Sequence, residues 1–169
     1  MGNRTSCTCG CFAKGVLIKM ADSSSKPIEE LQIGDMIITK DNGVQTIKNI
    51  LTGSEKTIVE IVASNGRELK VTKDHPILSS NNAMKRADEL KEGTIIVSED
   101  GEITVQAVSE QFYDDKVYNL ILEEDSVLIA NEIYAGDLLT QNRLNNLSNN
   151  TRHNDYERIK KELEGIFNN

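Results

Sequence analysis

The chain has no tryptophan, two prolines, two histidines, three cysteines and seven phenylalanines and tyrosines in 169 residues. With so few rings, the core has to be aliphatic, built from Ile, Val and Leu. Three cysteines cannot all pair within one chain, which argues against a disulfide scaffold. The hydrophobic fraction of 38% is low for a globular protein and charged residues reach 27%, so part of the chain is expected to be polar tail. Cationic charge is scarce: a net charge of −8 argues against a nucleic-acid partner, which needs clustered Lys and Arg. No apolar run approaches the roughly 18 residues of a spanning helix, so no membrane partner is expected. There is no charged-then-apolar leader pattern either. "MGNRTS" fits an acylation pattern short enough to recur by chance. "NRT", "NLS" and "NNT" fit glycosylation sequons with no secretory signal beside them.

What the chain does have is short β-branched runs. "VLIKM", "MIIT", "TIKNI", "TIVEIVA", "ELKVT", "TIIVS", "EITVQAV", "KVYNLIL" and "SVLIA" read as strands. "KDNG", "SNG" and "EDGE" between them supply Gly or Asn for tight turns. "PIEEL" and "RADEL" read as single helical turns. The pattern predicts an all-β sandwich or compact barrel-like body.

The chain also repeats itself. A shift of 59 residues lays "EELQIGDMIITKD" on "DELKEGTIIVSED", so that Glu30, Leu31, Gly34, Ile37 and Asp41 recur as Glu89, Leu90, Gly93, Ile96 and Asp100. The same shift lays "TIVEIVASNGRELKVT" on "KVYNLILEEDSVLIAN" with apolar positions in step. Two related β-halves packed about a pseudo-two-fold axis are the expectation.

Beyond Asp137 the character changes. Residues 138–151 are Asn-rich and read as a linker. In residues 152–169, Tyr156, Ile159, Leu163, Ile166 and Phe167 fall at helical spacing, with Asn154 or Asp155 available as a cap. A short amphipathic C-terminal helix is expected there. The division is thus a flank over 1–10, a β-body over 11–137, a linker over 138–151 and a helical tail over 152–169.

All three cysteines crowd into "SCTCGCFAKG", as Cys7, Cys9 and Cys11. A metal site, a redox pair and a single nucleophile are the candidate explanations. Zinc wants pairs such as C-x₂-C with a second pair elsewhere, so C-x-C-x-C with one distant His is incomplete and no metal or other cofactor is expected. A Cys9–Cys11 disulfide would close a small, strained and easily reduced ring. A nucleophile needs an activating partner. His153 lies in the polar tail, whereas His75 sits in "VTKDHPIL" at a strand end, with Thr72 and Asp74 just before it. Pro76 disfavours helical geometry for His75 and fixes an extended exit.

The sequence from Cys11, "CFAKGVLIKMADSSSKPIEELQIGD", resembles the opening of the Hint (hedgehog/intein) superfamily, with Cys11, Phe12, Gly15, Ile18, Gly34 and Asp35 in place. "TKDHP" supplies that family's Thr-x-x-His as Thr72 and His75. "VYNLILEEDSVLIANEIYAGD" resembles its third region through Val117, Asn119, Leu120, Ala130 and Asn131. The resemblance implies a horseshoe-shaped all-β fold with an internal pseudo-two-fold and an autoprocessing activity. By that resemblance Cys11 attacks the Gly10 carbonyl and turns the peptide into a thioester. His75 protonates the departing nitrogen, Thr72 holds the scissile region and steadies the oxyanion, and Asp74 is a turn residue or an auxiliary acid. The expected substrate is the upstream polypeptide, released by water or an external nucleophile, and the chain is expected to be a monomer.

The C-terminal end departs from the splicing pattern of His-Asn followed by Cys, Ser or Thr. Gly136, Asp137 and Leu138 stand at those positions, and Ser126 stands near a frequent catalytic His. Cleavage at the N-terminal junction without efficient splicing is therefore the expectation. A catalytically degenerate body serving as a structural or interaction module and full splicing are the alternatives. Related domains ending in Gly-Asp suggest a larger bacterial secreted or surface protein as the setting.

Overall fold

The computed structural model describes residues 10–40, 43–124 and 126–136. The flank before Gly10, Asp137, Leu138, the Asn-rich segment and the tail read as a helix lie outside the described residues. Twelve strands follow in order: β1 (Phe12–Ala13), β2 (Leu17–Lys19), β3 (Ser25–Pro27), β4 (Met36–Ile38), β5 (Val44–Ala63), β6 (Glu68–Val71), β7 (Pro76–Ser79), β8 (Ala83–Arg86), β9 (Ile95–Ser98), β10 (Gly101–Leu122), β11 (Val127–Ala130) and β12 (Ile133–Gly136). "PIEEL" and "RADEL" each hold one 3₁₀ turn, Ile28–Glu30 and Ala87–Glu89.

The spine is β5 against β10, strands of 20 and 22 residues paired antiparallel from Val105↔Ala63 to Leu122↔Ile47. The sequence reads each of these as two strands, because "LTGSEK" and "SEQFYDD" look like breaks. In the fold "LTGSEK" lies opposite residues 115–119 of β10 and "SEQFYDD" opposite residues 55–60 of β5, so the backbone of each polar stretch pairs with the partner strand and the chain stays extended. The mismatch is absorbed by a register shift between Phe112 and Asp115, where Asp114 takes φ 49°.

The 59-residue repeat is visible in three dimensions. The turn Ile28–Glu30 recurs as Ala87–Glu89, β2 as β7, β4 as β9, β5 as β10 and β6 as β11. Gly34 and Gly93 occupy equivalent turns with φ of 98° and 91°, a left-handed conformation that glycine adopts without steric cost. The buried side chains match as well: Ile18 with Ile77, Ile37 with Ile96, Leu31 with Leu90, Ile61 with Leu120 and Leu69 with Leu128. Buried side chains from both halves join in one hydrophobic cluster, so the two share one core. That core is aliphatic as expected, with Phe12 its one aromatic ring among the largest fully buried side chains.

Candidate active site

The site forms because β1 is only two residues long and sits between two other strands. Phe12 pairs with Val71 of β6 on one side and Tyr118 of β10 on the other. Phe12 and Ala13 are buried, so apolar packing drives this short strand into the seam. The residues just outside the three pairing partners then meet: Cys11 before Phe12, Thr72 after Val71, and Asn119 after Tyr118.

The Gly10–Cys11 amide is held at both ends. The Cys11 N–H donates to Thr72 Oγ1 at 2.7 Å, and Thr72 N–H donates back to the Cys11 carbonyl at 2.8 Å. The Thr72 hydroxyl in turn donates a hydrogen bond to Asp74 Oδ1 at 3.0 Å. On the other end, Asn119 Nδ2 donates to the Gly10 carbonyl oxygen. Asn119 is fully buried and its Oδ1 accepts from Leu120 N–H at 2.8 Å, which fixes which face of the amide points at Gly10.

This geometry changes one expectation. Thr72 engages the nitrogen of the scissile bond, whereas the oxygen, where negative charge would develop, faces Asn119. In the sequence Asn119 stands out only as a matching position of the third block. The available signal was a carboxamide inside the apolar strand run "VYNLIL", a buried polar group that requires a partner.

His75 follows Thr72 through a tight turn closed by His75 N–H donating to the Thr72 carbonyl at 3.1 Å. Its ring is fully buried and lies against Phe12, with centroids 4.1 Å apart and planes tilted by 53°. Neither ring nitrogen makes a hydrogen bond of ordinary geometry. Burial lowers the imidazole pKa to about 3, with the backbones of Gly136 and Gly10 pulling weakly the other way. His75 is therefore neutral at physiological pH. Cys11 is 4% exposed, and its thiol is pushed up from 9.0 to about 12, first by burial and then by the charges of Asp74 and Glu55. At rest the centre holds a neutral thiol beside a neutral imidazole.

The end of the body comes to the same place. Ala135 of β12 pairs with Ile77 of β7, and Gly136 lies at the edge of His75. Asp137, Leu138 and Cys9 lie outside the described residues. Ser126 is held in the turn before β11, accepting from Gln45 Nε2 at 2.5 Å and donating to the Glu124 carbonyl at 3.1 Å. Asn131, by contrast with Asn119, is a structural tie: it bridges Leu17 of β2 to Glu68 of β6 through both ends of its amide. Among the described residues no group of three or more His, Cys, Asp or Glu side chains is placed to hold a metal ion. Nor is any described helix long and apolar enough to cross a membrane.

An all-β body of two repeated halves, with the Gly10–Cys11 amide gripped in the seam between them, defines an intein-like class of fold. The chain belongs to the Hint-domain family: the model of that family named Vint, described as a Hint-domain, matches residues 10–166. That match starts at the gripped Gly10 and runs past Asp137, taking in the Asn-rich segment and most of the tail. Among solved structures, the DnaB intein from Synechocystis sp. PCC 6803 superimposes with a TM-score of 0.66 at 19% identity, covering 76% of this chain and 98% of that one. The bacterial intein-like domain from Clostridium thermocellum gives a TM-score of 0.65 at 19% identity, over 75% and 97% of the two chains. These likenesses concern the fold. Among curated proteins, the DNA-directed RNA polymerase III subunit rpc2 of Dictyostelium discoideum is 29% identical over 89 residues, 47% of this chain and 6% of that protein's length.

Proposed function

We propose that the chain is a self-processing domain that cleaves its own N-terminal junction at Gly10–Cys11 through an N-to-S acyl shift. The observation that carries this reading is the grip on one peptide bond from both sides, Thr72 at the nitrogen and Asn119 at the oxygen. Both partners are buried side chains rather than the backbone of a neighbouring strand.

The chemistry follows from the two neutral partners. The Cys11 thiol gives its proton to the neutral His75 imidazole as the sulfur attacks the Gly10 carbonyl carbon. The C=O pair moves onto oxygen, where the Asn119 amide stabilises the charge; removing one such donor typically costs ~10²–10³-fold. Collapse re-forms C=O and breaks the C–N bond, and the imidazolium returns the same proton to the Cys11 nitrogen, so the leaving group departs as an amine. Proton transfer of this kind is worth ~10²–10⁴-fold. The imidazolium is costly in a buried site and so gives its proton up readily. The thioester is then opened by water or an external nucleophile, which releases the upstream polypeptide. Gly136, Asp137 and Leu138 lack the carboxamide and the acceptor nucleophile that splicing uses, so the reaction stops at one end.

One competing reading has an observation in its favour. A thiol pushed to about 12 in a buried centre suits a degenerate body retained as an interaction module. Intact mass followed over hours, with and without dithiothreitol or hydroxylamine, separates the two. Loss of residues 1–10 that vanishes in Cys11→Ala is the expected result. A folded chain of unchanged mass under every nucleophile would leave the module reading. Excision of 11–137 with joining of its flanks would establish splicing instead.

A further inference from the structure

Asp74 sits between Thr72 and His75 in sequence, and the acyl shift as written gives it no part. Its contact is nevertheless specific. A threonine hydroxyl has one proton and two lone pairs. Thr72 Oγ1 can accept from the Cys11 N–H only while its own proton points elsewhere. Thr72 is buried, so water is a poor alternative acceptor, and the hydrogen bond to Asp74 Oδ1 at 3.0 Å disposes of that proton. The tight turn that closes from Thr72 to His75 sets the carboxylate in this position.

We infer that Asp74 is a positioning residue for this centre, orienting the Thr72 hydroxyl so that a lone pair stays on the scissile N–H. The inference rests on the acyl-shift reading. Asp74 has a second and opposite effect. Its negative charge, together with that of Glu55 from β5, disfavours a thiolate at Cys11. Geometry contributed by Asp74 therefore favours the reaction while its charge slows it, and the neutral isostere separates the two. In Asp74→Asn the Oδ1 acceptor remains and the charge is gone. In Asp74→Ala both are lost.

Two measurements test this. The first is dithiothreitol-induced release of residues 1–10 by mass. Asp74→Asn is expected to cleave at least as fast as the unmodified chain, because a charge that disfavours the thiolate is gone. Asp74→Ala is expected to cleave several-fold to about tenfold more slowly than Asp74→Asn, the value of a neutral hydrogen bond. The second is amide hydrogen exchange at position 11, measured in a Cys11→Ala background where no processing can occur. Protection there should survive Asp74→Asn and fall about tenfold in Asp74→Ala. Equal cleavage rates and equal protection in the two variants would overturn the positioning role. An exchange contrast without release of residues 1–10 from the unmodified chain would instead overturn the acyl shift and leave the positioning role standing.

Discussion

The two halves of the body share a backbone plan and differ in what they place at one position. In the first half the Val16 carbonyl accepts from Ile28 N–H at 2.8 Å; in the second the His75 carbonyl accepts from Ala87 N–H at 2.9 Å. The residues are equivalent under the repeat and both are buried, Val16 at 3% and His75 at 0% exposure. The fold therefore asks for an apolar side chain there, and Val16 is one. An imidazole that makes no hydrogen bond of ordinary geometry costs free energy at the same place. It is the departure from symmetry, rather than the symmetric frame, that marks the chemistry. The same contrast appears one turn earlier, where Thr72 grips an amide and its counterpart Asn131 ties hairpins together.

Making the halves alike is the strongest way to break that comparison. His75→Val should reduce release of residues 1–10 by about 10²-fold or more. It should also raise the melting temperature, because an apolar side chain replaces a buried polar one that makes no hydrogen bond of ordinary geometry. A variant that cleaves at the original rate would remove His75 from the mechanism. Next in size is Asn119→Ala, expected to slow release by about 10²-fold while Asn131→Ala lowers stability and leaves the slowed step untouched in proportion. Single-turnover rates compared with thermal melts distinguish the two asparagines.

The centre also sets a pH window for folding. His75 has a lower pKa folded than unfolded, so the unfolded chain binds more protons as pH falls below 6.5 toward about 3. Stability is therefore intact above 6.5 and declines by up to about 1.4 kcal/mol per pH unit below it. Cys11 has a raised pKa, so the unfolded chain loses its proton first as pH rises above 9.0 toward about 12, and stability declines there too. Urea melts across pH should show a plateau between these limits. In His75→Val the acid slope should flatten while the alkaline slope remains. The smallest effect tests the symmetric frame itself. Gly34→Ala and Gly93→Ala, at φ of 98° and 91° with open space around each, should destabilise by similar amounts of about 1 kcal/mol. Markedly unequal losses would mean that the two turns carry different loads.

Much of this was legible in the residues. Alternating β-branched runs, turn residues and the 59-residue shift gave an all-β body of two halves, because periodicity and local backbone preference operate over a few residues. The resemblance from Cys11 onward gave Cys11, Thr72 and His75 as a group. The continuity of β5 and β10 was not legible, since "LTGSEK" and "SEQFYDD" read as breaks until each is seen paired along the backbone of the opposite long strand. Nor was the assignment of Thr72 and Asn119 to opposite ends of one peptide bond, which depends on a two-residue strand entering between β6 and β10.

The sequence by itself determined which residues could react: one cysteine after Gly10, one histidine at a strand end, and a terminus lacking the carboxamide of splicing. These are properties of side chains and their order. Tertiary structure decided which atoms they face and in what state of protonation. A neutral imidazole, a withheld thiol and a doubly gripped amide arise from burial and from contacts between residues 61 and 109 positions apart, which no local pattern encodes.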